Sequence, residues 1–348
     1  MAALVFVTTE LAPFTPGGIG RVLHNMLRSV GEEDRARCIV VAVGFAIDDL
    51  SFAVTFPAVR LIRADVRDSV LQDHSSRHLP PRWAYSHSDL HWQSAAVMST
   101  LEQLARTTAI EYVEFPDWGG LAFCTLQERR FSGLLADACL AVRLHSTHTQ
   151  ILNAEPYAVT PIDLHIADIE RKCLRDCDRI VAQIPSVAEA TRRLLDFDIA
   201  EWDHRIIVHA PPVLLDYSLP ALQSVEAGPL QSLMFTSKMQ RLKRADVFVR
   251  GVTAFMRRDA DFHGRACLSA HRTDGAFCEI VDRLIPDDLK SRFAFTPAMS
   301  AREREMAIST ATVVVASASE SFCLAAYEAS LLGARVILNG QNPAFDDT

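Results

Sequence analysis

Two acids near the end of this chain have the type and spacing to do chemistry together. In the stretch SESFCLAAYEASLLGARVI (319–337), Glu320 closes the apolar run ATVVVASAS, and Glu328 follows with seven residues between them, inside the next helical pattern. A pair of carboxylates placed this way can accept hydrogen bonds from sugar and ribose hydroxyls. The N–H groups of Phe322, Cys323 and Leu324, at the start of the helix, would meanwhile meet a phosphate, so that one helix end would hold a whole nucleotide sugar. Taken singly, each acid has a plainer account: Glu320 complements a helix dipole, and Glu328 is an exposed helical glutamate.

Two other stretches carry groups suited to the same ligand. FTSKMQRLKRADVF (235–248) places Lys238, Arg241, Lys243 and Arg244 after an apolar strand pattern. Such a cluster neutralises a diphosphate if it points into a cleft, and is a solvated basic loop if it does not. Near the start, PGGIGR (16–21) joins a strand to a helix, and Gly17, Gly18 and Gly20 allow backbone to approach a phosphate or sugar. The spacing is not GxGxxG and no acid ends the second apolar run, so a structural turn is an equal reading.

These groups need rigid elements behind them, and the hydrophobic pattern supplies two sets. Short apolar runs alternate with helical segments: ALVFVTT, CIVVAVGF, EYVEF, ACLAVRLHS and RIVAQI in the first part, then LMFTS, GRACLSA, RFAFT, ATVVVASAS and ARVILNG in the second. Continuous apolar strands between helices are the mark of parallel sheets covered on both faces, hence a doubly wound α/β protein. The proline-rich stretch 209–232 interrupts the alternation. It predicts an N-terminal Rossmann-like domain over 1–215, a hinge over 216–231 and a C-terminal Rossmann-like domain over 232–348, with a ligand cleft at the carboxyl ends of the strands. Residues 65–92, rich in His, Arg, Ser and Pro, read as a surface excursion.

Composition narrows the class. At 348 residues, 49% hydrophobic and 22% charged, the chain can bury two cores. A net charge of -8 argues against a general nucleic-acid binder. The eight cysteines are scattered without repeated CxxC spacing, so most read as reduced core residues, and no metal site is expected. ALVFV is far short of the roughly 20 apolar residues a membrane span requires, so a cytoplasmic location is the expectation.

In this order the motifs PGGIGRV, YVEFPDWGGLAF (112–123), RLHSTH (143–148), IERKCLRDCDRIVAQIPSVAEAT (169–191), SKMQRLKRADVFV and SESFCLAAYEASLLGARVI are similar to those of the retaining GT-B glycosyltransferases, the large group that includes sucrose, trehalose and glycogen synthases and bacterial mannosyl and glucosyl transferases. The resemblance implies a hexosyltransferase that moves a sugar from a nucleotide diphosphate sugar to a glycan or lipid-linked acceptor, with no cofactor and no metal. Contact with the inner face of a membrane is compatible with it. A GT-B module that binds or scaffolds without turnover is the alternative.

Residue by residue, the resemblance gives Glu328 the donor ribose and Glu320 the transferred sugar, helped by the amides of Phe322, Cys323 and Leu324. It gives Lys238 and Lys243 the diphosphate, with Lys243 offsetting leaving-group charge, and it gives Gly17, Gly18 and Gly20 the approach to the donor. His145 falls close to the transferred sugar and Asp117 on the acceptor side. Retention implies an oxocarbenium-like transition state with the donor phosphate taking the acceptor proton. The chain differs from the pattern at Ser237, Arg244 and Cys323, where glycine is usual. Relatives of this kind continue past the ARVI strand, so the resemblance also implies a piece of a longer polypeptide or an abbreviated second domain.

Overall fold

The structure, a computed structural model, describes residues 1–64, 66, 82–85, 88–155, 158–216, 230–296 and 299–346. The chain divides into two compact units, Met1–Pro212 and Val213–Thr348. Most of the expected hinge, residues 217–229, and most of the 65–92 excursion lie outside the described residues.

The first unit is built on strands β1 (Ala3–Thr8), β2 (Cys38–Val43), β3 (Arg60–Ala64), β4 (Ile110–Pro116), β5 (Cys139–Arg143), β6 (Arg179–Ala182) and β7 (Ile206–Val208). They form one sheet in the order β3-β2-β1-β4-β5-β6-β7, parallel at every pairing. Its strands read as unbroken apolar runs because both faces are covered. In β2, Ile39, Val41 and Val43 join one core cluster while Cys38, Val40 and Ala42 join another, as the two-residue period of a strand requires.

The second unit contains β8 (Ser232–Phe235), β9 (Arg265–Ser269), β10 (Phe293–Thr296), β11 (Thr312–Val315) and β12 (Arg335–Leu338). Their order is β10-β9-β8-β11-β12, again parallel throughout. The strand order of each sheet therefore reverses once, between β1 and β4 in the first unit and between β8 and β11 in the second. Such switch points are where open parallel sheets bind ligands, beyond the carboxyl ends of the strands.

Two strands and several helices of the first unit, among them Asp49–Thr55, Asp89–Ala105, Phe123–Ser132 and Ile199–Arg205, have no counterpart in the sequence reading. β3 and β7 are the edges of the first sheet, short and with exposed side chains, so neither shows a buried-strand pattern. The helix Asp89–Ala105 begins inside the presumed surface excursion, and its Trp92 is buried. Its apolar stripe is blurred because small residues such as Ser94, Ala95, Ala96 and Ser99 are buried around it. The remaining strands lie where the apolar runs placed them. All eight cysteines are unpaired, and five of them are buried. Among the described residues no helix is long and apolar enough to cross a membrane.

Candidate functional site

In the second unit, the sequence itself explains how the basic loop is aimed. After β8, Met239 and Leu242 alternate with the cations of SKMQRLK, and both apolar side chains are buried. The Met239 N–H donates to the His271 carbonyl at 2.9 Å, and the Leu242 carbonyl accepts from the Ala318 N–H at 2.9 Å. The second bond ties the loop after β8 to the turn after β11, across the switch point. Lys243 consequently lies beside Glu320, Nζ to Oε2 2.7 Å, with both side chains largely shielded from solvent. Lys238 is half-buried in the same loop.

Glu320 is followed two residues later by Phe322, whose ring stacks on Tyr327 at 4.3 Å between centroids. The helix Leu324–Leu331 then begins at Cys323, whose side chain accepts no capping bond. Cys323 has φ 65°, in the left-handed region, where a Cβ is strained and glycine is not. Arg244 has φ 58° and the same conformation. Two of the three positions at which this chain departs from glycine are thus the ones whose backbone favours it. The Cys323 thiol is buried. Burial raises its pKa, and the Glu320 charge raises it further, so the thiol stays neutral.

Glu328 is not an exposed helical acid. It is 4% exposed, and its Oε2 accepts from Arg304 Nη2 at 2.9 Å. Arg304 comes from the helix Ala301–Ser309, and its partnership spans 24 residues of sequence, so no local pattern could have singled it out.

The first unit holds the remaining candidates, and its glycines sort by what surrounds them. A Cβ on Gly20 would lie 2.6 Å from the Leu11 nitrogen, so the helix Gly18–Ser29 packs too closely on the 10–11 backbone for any other residue. A Cβ on Gly17 would meet the Glu10 carboxylate, whereas one on Gly18 meets nothing within 4 Å. Gly20 is therefore a packing residue, and Gly18 is the glycine with open space beside it.

The RLHSTH segment after β5 is held mainly by two buried acids. Asp117, placed after β4 and 1% exposed, accepts from the His145 N–H at 2.9 Å and the Ser146 N–H at 3.2 Å. Ser146 has φ 105°, a strained conformation that these bonds stabilise. Glu170, from the helix Pro161–Asp176, accepts from the Gly119 and His148 N–H groups, each at 2.8 Å. Gly119 has φ 76° in the PDWGG turn, which lets its N–H face that carboxylate. Burial pushes the Asp117 carboxyl up to about 8 against the opposing pull of its N–H donors, and it raises Glu170 as well. Both acids are engaged by backbone, so Asp117 positions His145 rather than presenting a free carboxylate.

Beneath His145 sits an ion pair that the sequence reading did not single out. Arg143 Nε and Nη2 donate to the two oxygens of Glu114 at 2.7 and 3.0 Å, and Tyr112 Oη donates to Glu114 Oε2 at 2.7 Å. Both charged residues are buried. The signal was present in EFPDW and RLHS, since an acid and a base inside apolar strands must find each other. With Thr8, Ile19 and Val22, they and His145 line a small pocket at the ends of β1, β4 and β5. Desolvation lowers the His145 pKa, and the Arg143 charge adds to the effect, so the imidazole is neutral at pH 7.

No protein-family model and no curated protein matches the sequence. Solved structures do match along 99% of the chain. Sucrose-phosphate synthase from Thermosynechococcus elongatus superposes with a TM-score of 0.64 at 14% identity over 83% of its own chain. The catalytic domain of starch synthase IV from Arabidopsis thaliana, bound to ADP and acarbose, gives 0.64 at 11% identity and 84%. HepE from Anabaena in complex with UDP-glucose gives 0.63 at 14% identity and 82%. The likeness establishes the fold: the chain is a GT-B protein, with two Rossmann-like α/β domains like those of these glycosyltransferases.

Proposed function

We propose that this protein is a retaining glycosyltransferase that transfers a hexose from a nucleotide diphosphate sugar to a glycan or lipid-linked acceptor. The observation that carries the reading is the constellation at the second switch point. There Lys243 and Glu320 lie 2.7 Å apart, and Glu328, on the helix that starts at Leu324, is held by Arg304. The GT-B fold, shared with proteins solved with UDP-glucose and with ADP, supports a nucleotide sugar as donor.

In this reading the donor diphosphate draws Lys243 from Glu320, and Lys238 assists. The ammonium charge then meets the negative charge that develops on the leaving group, an electrostatic contribution rather than a proton transfer. Glu320, released from Lys243, accepts from hydroxyls of the transferred hexose. Glu328, fixed by Arg304, accepts from the ribose. Uncapped N–H groups at the start of a helix suit phosphate oxygens, which is the role assigned to the turn at Phe322, Cys323 and Leu324. Gly18 gives the donor a close approach to backbone, and His145 meets the hexose, with Asp117 setting its position.

Calorimetric titration of the full chain with UDP-glucose, ADP-glucose and GDP-mannose tests the proposal. Saturable binding of one donor, abolished by Glu328→Ala, is the expected result, and no binding of any nucleotide sugar contradicts it. Cys323 favours a second reading, a GT-B module that binds without turnover, because its buried side chain stands at the turn where a donor would approach backbone. Tight donor binding with no transfer or donor hydrolysis would select that reading.

A further inference from the structure

We propose that Gln183 is a positioning residue that fixes the tautomer of His145, so that the histidine meets its ligand as an Nε2–H donor to an oxygen atom. Gln183 follows β6, the strand that pairs with β5, and its side chain is buried. Its Nε2 lies 2.9 Å from the Leu144 carbonyl oxygen. A carbonyl oxygen faces an amide N–H and repels an amide oxygen, so this contact decides which way the glutamine amide is turned.

The same NH2 group lies 3.3 Å from Nδ1 of His145. One hydrogen goes to Leu144, leaving the second to face the imidazole. A hydrogen on Nδ1 would set N–H against N–H, so Nδ1 must be the acceptor, and the neutral ring carries its hydrogen on Nε2. Asp117 fixes the same residue from the backbone side, through the His145 and Ser146 N–H groups. Side chain and main chain are thus held independently, by residues 38 and 28 positions away in sequence.

The consequence for chemistry is specific. With Nδ1 occupied and Nε2 protonated, the ring has no lone pair with which to take a proton from an attacking hydroxyl. Its ligand is an acceptor oxygen, such as a sugar hydroxyl. This last step rests on the transferase reading, in which the acceptor proton then goes to the departing phosphate oxygen as the new glycosidic bond forms. The tautomer itself does not depend on that reading.

Long-range proton–nitrogen NMR correlation of the histidine rings in the full-length, ligand-free protein gives the test, with His145 assigned by its loss in His145→Asn. The wild type is expected to show hydrogen on Nε2 and an unprotonated Nδ1. Gln183→Glu, which offers a carboxylate in place of the NH2 donor, is expected to place a hydrogen on Nδ1. Gln183→Met, which keeps the volume and removes the donor, is expected to shift the Nδ1 resonance away from its hydrogen-bonded position while Nε2 keeps its hydrogen. Hydrogen on Nδ1 in the wild type overturns the proposal. So does an unchanged Nδ1 resonance in Gln183→Met, the variant that decides the matter should Gln183→Glu not fold. Donor titration of the wild-type protein reports separately on the transferase reading, so the two can fail independently.

Discussion

The two candidate regions are organised by different physics. Around His145, two acids bond to backbone, Asp117 holding the N–H groups of His145 and Ser146 and Glu170 those of Gly119 and His148, above a buried pair of Glu114 with Arg143. Around Glu320, the acids bond to cations: Lys243 pairs with Glu320, and Arg304 with Glu328. The first arrangement fixes a loop in one conformation and leaves the histidine as the group on offer. The second holds each acid against a cation, so that under the proposed function an anionic ligand competes for Lys243 and a hydroxylated one for Glu320.

The largest effect should come from breaking the buried charge in the first region. Arg143→Met leaves Glu114 uncompensated, and the expected loss is about 3–5 kcal/mol of stability in urea unfolding. Lys243→Met, at a pair whose side chains keep 20% and 9% exposure, should cost less, about 1–3 kcal/mol, because Glu320 regains some water. Equal effects would dissolve the distinction between the two regions. Gly20→Ala should cost about 1–3 kcal/mol because its Cβ meets the Leu11 backbone, whereas Gly18→Ala should fold normally and alter donor affinity instead.

The left-handed residues sharpen the contrast from the other side. Arg244→Gly removes a strained conformation at an exposed position and should stabilise the protein by about 1 kcal/mol, seen as a higher Tm. Cys323→Gly removes the same strain together with a buried side chain, so its gain should be smaller. The smallest effect concerns pH. The folded pKa of His145 lies below its ordinary value of 6.5, so the neutral ring favours the folded state above that pH. This contribution is lost as pH falls below about 6.5, because the unfolded state binds the proton first. In His145→Asn the unfolding free energy should decline less steeply on acidification.

What could be read from the sequence was what repeats locally. Buried strands of parallel sheets are unbroken apolar runs, so β1, β2, β4, β5 and β6 were visible, whereas the exposed edges β3 and β7 were not. Glu320, Lys238 and Lys243 were legible as candidates because loops after strands carry their polar residues in order along the chain, and Glu328 because of its spacing from Glu320 within the helix that follows. Their partners were not. Arg304, Glu170 and Gln183 act on partners 22 to 51 residues away in sequence, and nothing in their own neighbourhoods marks them. Asp117 was found, but its occupation came only with the fold, because a carboxylate in a PDWGG turn looks the same whether it faces a ligand or two backbone N–H groups. Cys323 and Arg244 were noticed as absent glycines, and the backbone supplies the reason that absence matters.

Donor turnover by the full chain is the most direct measurement, with wild type, Glu320→Ala and Glu328→Ala compared on the nucleotide sugar that binds. Glu328→Ala is expected to lose donor binding. Glu320→Ala is expected to keep most of its affinity while turnover falls about 100-fold or more, as befits a group whose contact strengthens in the transition state. Unchanged turnover in both variants would contradict the assignment of this constellation as the donor site.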